Sequence, residues 1–138
     1  MGGAIRDLAV LLRSMEPVWN EGVYAFATVS DAAAADLDWR DVVASIRERE
    51  GLSVVMAEPL LRQYGLTSHF RAAWITLNVH SDLAAVGLTA AFAAALGEAQ
   101  ISCNVVAGNC HDHIFVPYGE AEAAMAVLRR LQQAAQAV

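Results

Sequence analysis

Residues 76–117 read TLNVHSDLAAVGLTAAFAAALGEAQISCNVVAGNCHDHIFVP, and this stretch decides the fold. At its head Ile75, Leu77 and Val79 alternate with Trp74, Thr76, Asn78 and His80, the period of a half-buried strand. That strand is predicted over residues 70–80. Ser81 or Asp82 then stands where a helix N-cap accepts amide protons, and the Ala-rich run behind it is predicted to stay helical to about Ala99. Two short apolar runs follow, residues 101–107 and 111–116, joined by the turn dipeptide Gly108-Asn109. A last helix is expected over residues 119–135, with Ala121, Ala124, Leu128 and Leu131 inward. The order β-α-β-β-α is that of a ferredoxin-like split βαβ unit without its final strand, an α/β (α+β) architecture.

The absent strand leaves a sheet edge that needs a partner. Residues 23–29 and 52–57, both β-rich, are available to supply it. Upstream, residues 4–15 are predicted helical, with Ile5, Leu8, Leu12 and Met15 on one stripe, and Glu16-Pro17 ends that helix. Residues 31–38 read as a loop. Trp39, Val42, Val43 and Ile46 then have the spacing of a short amphipathic helix, stopped at Gly51. Pro59 opens a helix that Gly65 closes. Segment 6–29 echoes segment 86–107 as helix, loop and strand, so the chain is expected to hold two incomplete copies of one unit, residues 1–67 and 68–138.

Composition narrows the function. With 57% apolar and 17% charged residues in 138, the chain has the make-up of one globular domain, or of two small ones sharing a core. A net charge of −6 argues against nucleic acid, whose phosphates call for clustered Lys and Arg. Cys103 and Cys110 have neither CxxC spacing nor the look of a disulfide framework, which fits a reducing compartment. Arg6, Asp7 and Arg13 interrupt the N-terminal region where a targeting segment would be apolar. The uncharged run over residues 83–97 is shorter than the roughly 20 residues a membrane span needs. A soluble cytoplasmic protein is expected.

Alternation sorts the polar residues of the C-terminal half. Ile101, Cys103, Val105, Ile114 and Val116 belong with the aliphatic face. Ser102, Asn104, His111 and His113 fall on the opposite one with Thr76, Asn78 and His80. In a split βαβ unit the third strand lies antiparallel to the first. His111 is therefore expected near His80, beside Ser81-Asp82 and the head of the following helix. Unclaimed amides at that helix end suit a carboxylate.

The run VHSDLAAVGLTAAFAAALGEAQISCNVVA, with Gly-Leu-Thr-Ala opening a helix and Ala99-Gln100-Ile101 stepping into the next strand, resembles an ACT domain. Its Val86-Gly87-Leu88-Thr89-Ala90 form is similar to the ACT domains of aspartate kinases. With CHDHIFVP and the upstream Glu50-Gly51-Leu52-Ser53, the whole chain resembles small stand-alone bacterial proteins that carry tandem ACT-like halves and have no established function. Residues 1–67 then form a rudimentary ACT-like half and residues 68–138 an ACT-like domain. The resemblance implies a non-catalytic regulatory module that binds a small molecule, an amino acid by analogy, at an interface between ACT units. It implies ligand contacts from His80, Ser81, Asp82, Val86, Gly87, Leu88, Ser102 and Asn104, with Asn78, His111 and His113 as a polar rim. A homodimer and a separate regulated protein are the implied partners. No cofactor, metal, nucleic acid or membrane is expected.

Plainer readings stand beside these. Gly87 serves close packing as readily as ligand binding. His80, His111 and His113 could hold zinc, copper or nickel, but a His-x-His pair without a third ligand is weak, and hydrogen-bonded histidines at an interface are favoured. Cys110-His111-Asp112 are sequence neighbours on a strand, so they diverge where a nucleophilic triad must converge. Cys103 reads as a core residue, and Trp19, Trp39 and Trp74 as packing residues. The alternative from another class is a structural dimerisation or protein-interaction module without a ligand.

Overall fold

The computed structural model describes residues 3–137, so residues 1, 2 and 138 of the two expected halves lie outside the described residues. The chain forms two compact units, Met1–Asn20 with Ala73–Val138, and Glu21–Ala72. The second is thus inserted into the first along the sequence. Six strands and five α-helices make up the described residues, a mixed α/β fold.

In the first unit, β4 (Arg71–Leu77, whose first two residues belong to the other unit), α4 (Leu88–Glu98), β5 (Asn104–Ala107), β6 (Asp112–Pro117) and α5 (Ala121–Gln136) follow the βαββα order expected. The strand order is β1-β4-β6-β5, so the open edge of β4 is completed by the start of β1 (Pro17–Val29). The hairpin has Val105 opposite Ile114 and Ala107 opposite Asp112, and the Gly108 amide donates to the His111 carbonyl at 2.9 Å. Ile75, Leu77, Val79, Ile114 and Val116 bury one sheet face under α1 (Leu8–Arg13), α4 and α5, which pack on one another. Phe115 is also fully buried, on the other face, where its ring stacks on Trp74 at 6.2 Å. Val105 departs from the aliphatic set and is exposed, because β5 is the edge strand.

The second unit orders β2 (Val42–Glu48), β3 (Gly51–Ala57) and β1, with antiparallel pairing throughout. Ala25, Ala27, Val29, Val54 and Met56 form its core with Leu37 and Leu61 of the flanking segments. The helix α3 (Glu58–Gln63) has Pro59 in its first turn, and Gly65 follows it at φ +72°, close to what the sequence predicts.

Five expectations change. Residues 42–48 are strand β2 rather than helix, entered through a 3-10 turn at Trp39–Asp41. The β-branched Val42, Val43 and Ile46 lose side-chain freedom in a helix and pair readily across a hairpin. Trp39 is 56% exposed, so it is no packing anchor. Residues 31–34 form a short helix α2 (Asp31–Ala34), because the Ser30 hydroxyl accepts the Ala33 amide at 3.2 Å. The helix expected over residues 4–15 begins only at Leu8, with Asp7 as N-cap, and Ile5 instead bridges Ser81 in parallel. The helix expected from Ser81 or Asp82 begins at Leu88, and its N-cap is Gly87. Among the described residues no helix is long and apolar enough to cross a membrane.

Candidate functional site

The loop between β4 and α4 carries five of the eight residues expected to meet a ligand, and a sixth, Leu88, opens α4 behind it. The loop is shaped by Asp82, whose Oδ1 accepts the Ala84 amide at 2.7 Å while its carbonyl accepts the Ala85 amide at 2.9 Å. Those bonds make a turn instead of a first helical turn. Gly87 then adopts φ +109°, open to glycine and strained for other residues, and no side chain caps the helix behind it. The first-turn amides of an α-helix have no intrahelical acceptor, so the head of α4 retains donors aimed away from the helix.

Residues 5–8 lie along this loop. The Ile5 amide donates to the His80 carbonyl at 2.8 Å, and the Asp82 amide donates to the Ile5 carbonyl at 2.9 Å. Arg6 Nε approaches Asp82 Oδ2 at 3.4 Å. A methyl group at Gly87 would come within 2.9 Å of Leu8 Cδ2, so Leu8 covers the glycine. Sequence reasoning missed Ile5, Arg6 and Leu8 as neighbours of the loop. The apolar stripe through Ile5 and Leu8 is the same whether the segment is a helix or a short bridge, and only Asp7 marked the later helix start.

His80 and His111 meet as expected, their rings edge-on with centroids 6.4 Å apart. His111 Nδ1 lies 3.0 Å from the Val79 carbonyl oxygen, which requires that nitrogen to carry the proton. Val86 is 84% exposed, whereas the Leu88 side chain is buried in the core and cannot face a ligand. Ser102 and Asn104 stand elsewhere. Asn104 pairs with Phe115 and its side-chain amide donates to the Phe115 carbonyl at 3.3 Å. That is four residues along β6 from His111, about 13 Å at strand rise. The eight residues therefore divide between opposite ends of the β4-β6-β5 sheet.

His113 lies between the two ends. Trp74 Nε1 donates to His113 Nδ1 at 3.0 Å, and the Thr76 hydroxyl lies 3.1 Å from the same nitrogen. Asn20 Nδ2 donates to Thr76 Oγ1 at 2.9 Å and to the Trp74 carbonyl at 3.2 Å. Indole is a donor only, so Nδ1 is the acceptor and Nε2 holds the proton of the neutral ring. Burial, followed by the neighbouring His111, lowers the His113 pKa below its ordinary 6.5. A group with a depressed histidine pKa favours the native state above the unfolded value, and that contribution is lost as pH falls from about 6.5 through the folded pKa. The urea midpoint is therefore expected to fall as pH drops through this window, and less so in His113→Gln. An identical pH slope in both proteins would refute the assignment.

The two cysteines differ in setting. Burial pushes the Cys103 thiol up to about 11 and leaves it protonated beside the core, while Cys110 is exposed. Asp112 is half-buried and its carboxyl is also raised, first by burial. Among the described residues no three His, Cys, Asp or Glu side chains gather as a metal-binding group.

The chain matches an ACT-domain profile over residues 3–73 and a second ACT-domain profile over residues 70–130. It is 45% identical to a Vibrio cholerae protein of unknown function, described as a possible transport protein, over 91% of this chain and 95% of that one, with a TM-score of 0.80. The regulatory subunit of aspartate kinase from Thermus flavus shares the fold at 12% identity and a TM-score of 0.58, covering 83% of this chain and 95% of that one. The α and β subunits of an aspartokinase do so at 14% identity and a TM-score of 0.62, with the same coverage. No curated protein matches the chain.

Proposed function

Because this chain belongs to the ACT-domain family, we propose that it is a non-catalytic regulatory module whose ligand is an amino acid, bound at the loop ahead of α4. One observation carries the reading: the head of α4 has no side-chain cap, and a left-handed glycine precedes it. Such an end suits a carboxylate, by dipole and by free amides together. His80 and the Asp82 carboxylate, 29% exposed, stand on the preceding turn, and Asp82 suits an amino group. Ser102 and Asn104 lie too far along the sheet to reach the same molecule within one chain. In a homodimer a second copy would present them, which places the ligand between copies. The two ACT-type halves, residues 1–67 and 68–138, would regulate a separate cytoplasmic protein through the equilibrium between ligand-free and ligand-bound assemblies.

A second reading is favoured by Leu83 and Val86, 65% and 84% exposed on that same loop. There the loop would be a dimerisation surface with no ligand. Thermal shift with the twenty amino acids separates the two. At tenfold over Kd a native-state ligand adds about 1.4 kcal/mol, or roughly 5 °C in Tm at this size. The expected result is such a rise for at least one amino acid, with amide shifts at residues 86–90. No rise with any of them at millimolar concentration would sink the ligand reading and leave the dimer reading.

A further inference from the structure

The second unit holds an open cleft of about 300 Å³, lined by Phe26, Ala27, Thr28, Ser53, Thr67, Ser68 and His69. Serine and threonine make up 11 of the 138 residues of the chain, yet four of the seven that line this cleft. Register gathers two of them. Thr28 of β1 lies directly opposite Ser53 of β3, and strand alternation turns both away from the buried Ala27 and Val54. Phe26, two residues along, joins them on that sheet face, and its ring packs on Phe70 at 6.0 Å. The segment 67–69 borders the same cleft and is anchored by Ser68, whose hydroxyl bonds to both the amide and the carbonyl of Phe70.

Charge then restricts the occupant. No Asp, Glu, Lys or Arg is part of the lining, so an anion entering it would lose water without gaining a fixed cation, and the carboxylate at its edge, Glu48, is already engaged by the Ser53 hydroxyl. Hydroxyls donate and accept, and a neutral hydroxylated molecule can match both roles. Ser53 Oγ donates to Glu48, which leaves its lone pairs able to accept from a ligand donor. The ring of Phe26 offers apolar contact to a C–H face. From this cluster we infer that the cleft binds a small, uncharged polyhydroxylated molecule of monosaccharide or polyol size, independently of the loop before α4.

The test is a titration of the full-length ¹⁵N-labelled protein with D-ribose, D-glucose, myo-inositol and glycerol, with L-aspartate and L-serine as charged comparisons. The expected result is saturable movement of the amides of Thr28, Ser53 and residues 67–69 by a neutral probe, with residues 86–90 unmoved. Thr28→Val, which keeps the side-chain shape, is expected to weaken that binding about tenfold, as loss of one hydrogen bond does. Ser53→Ala is the second variant, and an unchanged spectrum elsewhere shows that each variant is folded. No saturable movement with any neutral probe, equal movement with the charged solutes, or full affinity in both variants would overturn the inference.

Discussion

Phe92→Ala is expected to lower the stability of the first unit by about 4 kcal/mol, as truncating a fully buried phenylalanine typically does. Phe92 has no exposed surface and lies in the cluster with Leu77, Val79, Leu96, Ile114 and Leu128. Its helix makes the site unusually sensitive. The buried residues of α4 are Leu88, Phe92 and Leu96, spaced four apart on one stripe, and the residues between are mostly alanine. Alanine favours the helix but buries little surface, so docking of α4 rests on three side chains. Removing the middle one leaves a cavity that small neighbours cannot collapse to fill. Denaturant titration read by amide exchange of residues 88–98 reports this unit specifically. A loss below about 1.5 kcal/mol would mean that the stripe repacks. Phe92→Leu should recover much of the stability. In Phe92→Ala the head of α4 loses its fixed position, so the amino-acid response predicted above should disappear with it.

The C-terminal half was legible because its signals are local and agree with one another. Strict alternation over residues 74–79 marks β4, and Gly108-Asn109 fits the hairpin turn; in the N-terminal half Pro59 and Gly65 likewise mark the start and end of α3. Topology alone also brought His111 to His80. The failures came where one spacing serves two structures. Trp39, Val42, Val43 and Ile46 match a helical stripe, yet β2 is decided by pairing with β3, a contact between segments that periodicity does not see. Ala84 and Ala85 favour helix, but the Asp82 turn and the backbone of Gly87 postpone α4 to Leu88. Ser102 and Asn104 were grouped with the loop through the family resemblance, which describes sites shared between units. Strand rise along β6 separates them within one chain. The hydroxyl cleft was invisible for a related reason: Thr28, Ser53 and Thr67 are far apart in sequence, and cross-strand register alone unites the first two.

Gly51→Ala is expected to cost about 3 kcal/mol, at the upper end for one strained backbone position. Gly51 opens β3 at φ +143°, and an added Cβ would lie 2.6 Å from the Val29 carbonyl oxygen and 3.2 Å from Thr28 Cγ2. A threonine methyl can rotate away. The carbonyl is fixed, because Val29 pairs with Leu52 in the β1–β3 ladder and its own side chain is buried. Relief therefore requires either shifting the strand or giving up its pairing, and each adds to the strain of a positive φ. Gly65→Ala separates these costs. Gly65 also has a positive φ, +72°, but nothing lies within 4 Å of its added Cβ, so it should lose only about 1 kcal/mol. Urea unfolding of both variants gives the comparison. Equal losses would show that the contact with Val29 relaxes freely and that φ alone sets the cost. A larger loss at Gly51 carries a functional consequence, since the strained contact lies next to the Thr28–Ser53 pair. A shift of β3 against β1 moves those two hydroxyls apart, so Gly51→Ala should also abolish polyol binding in the cleft while leaving the loop before α4 unaffected.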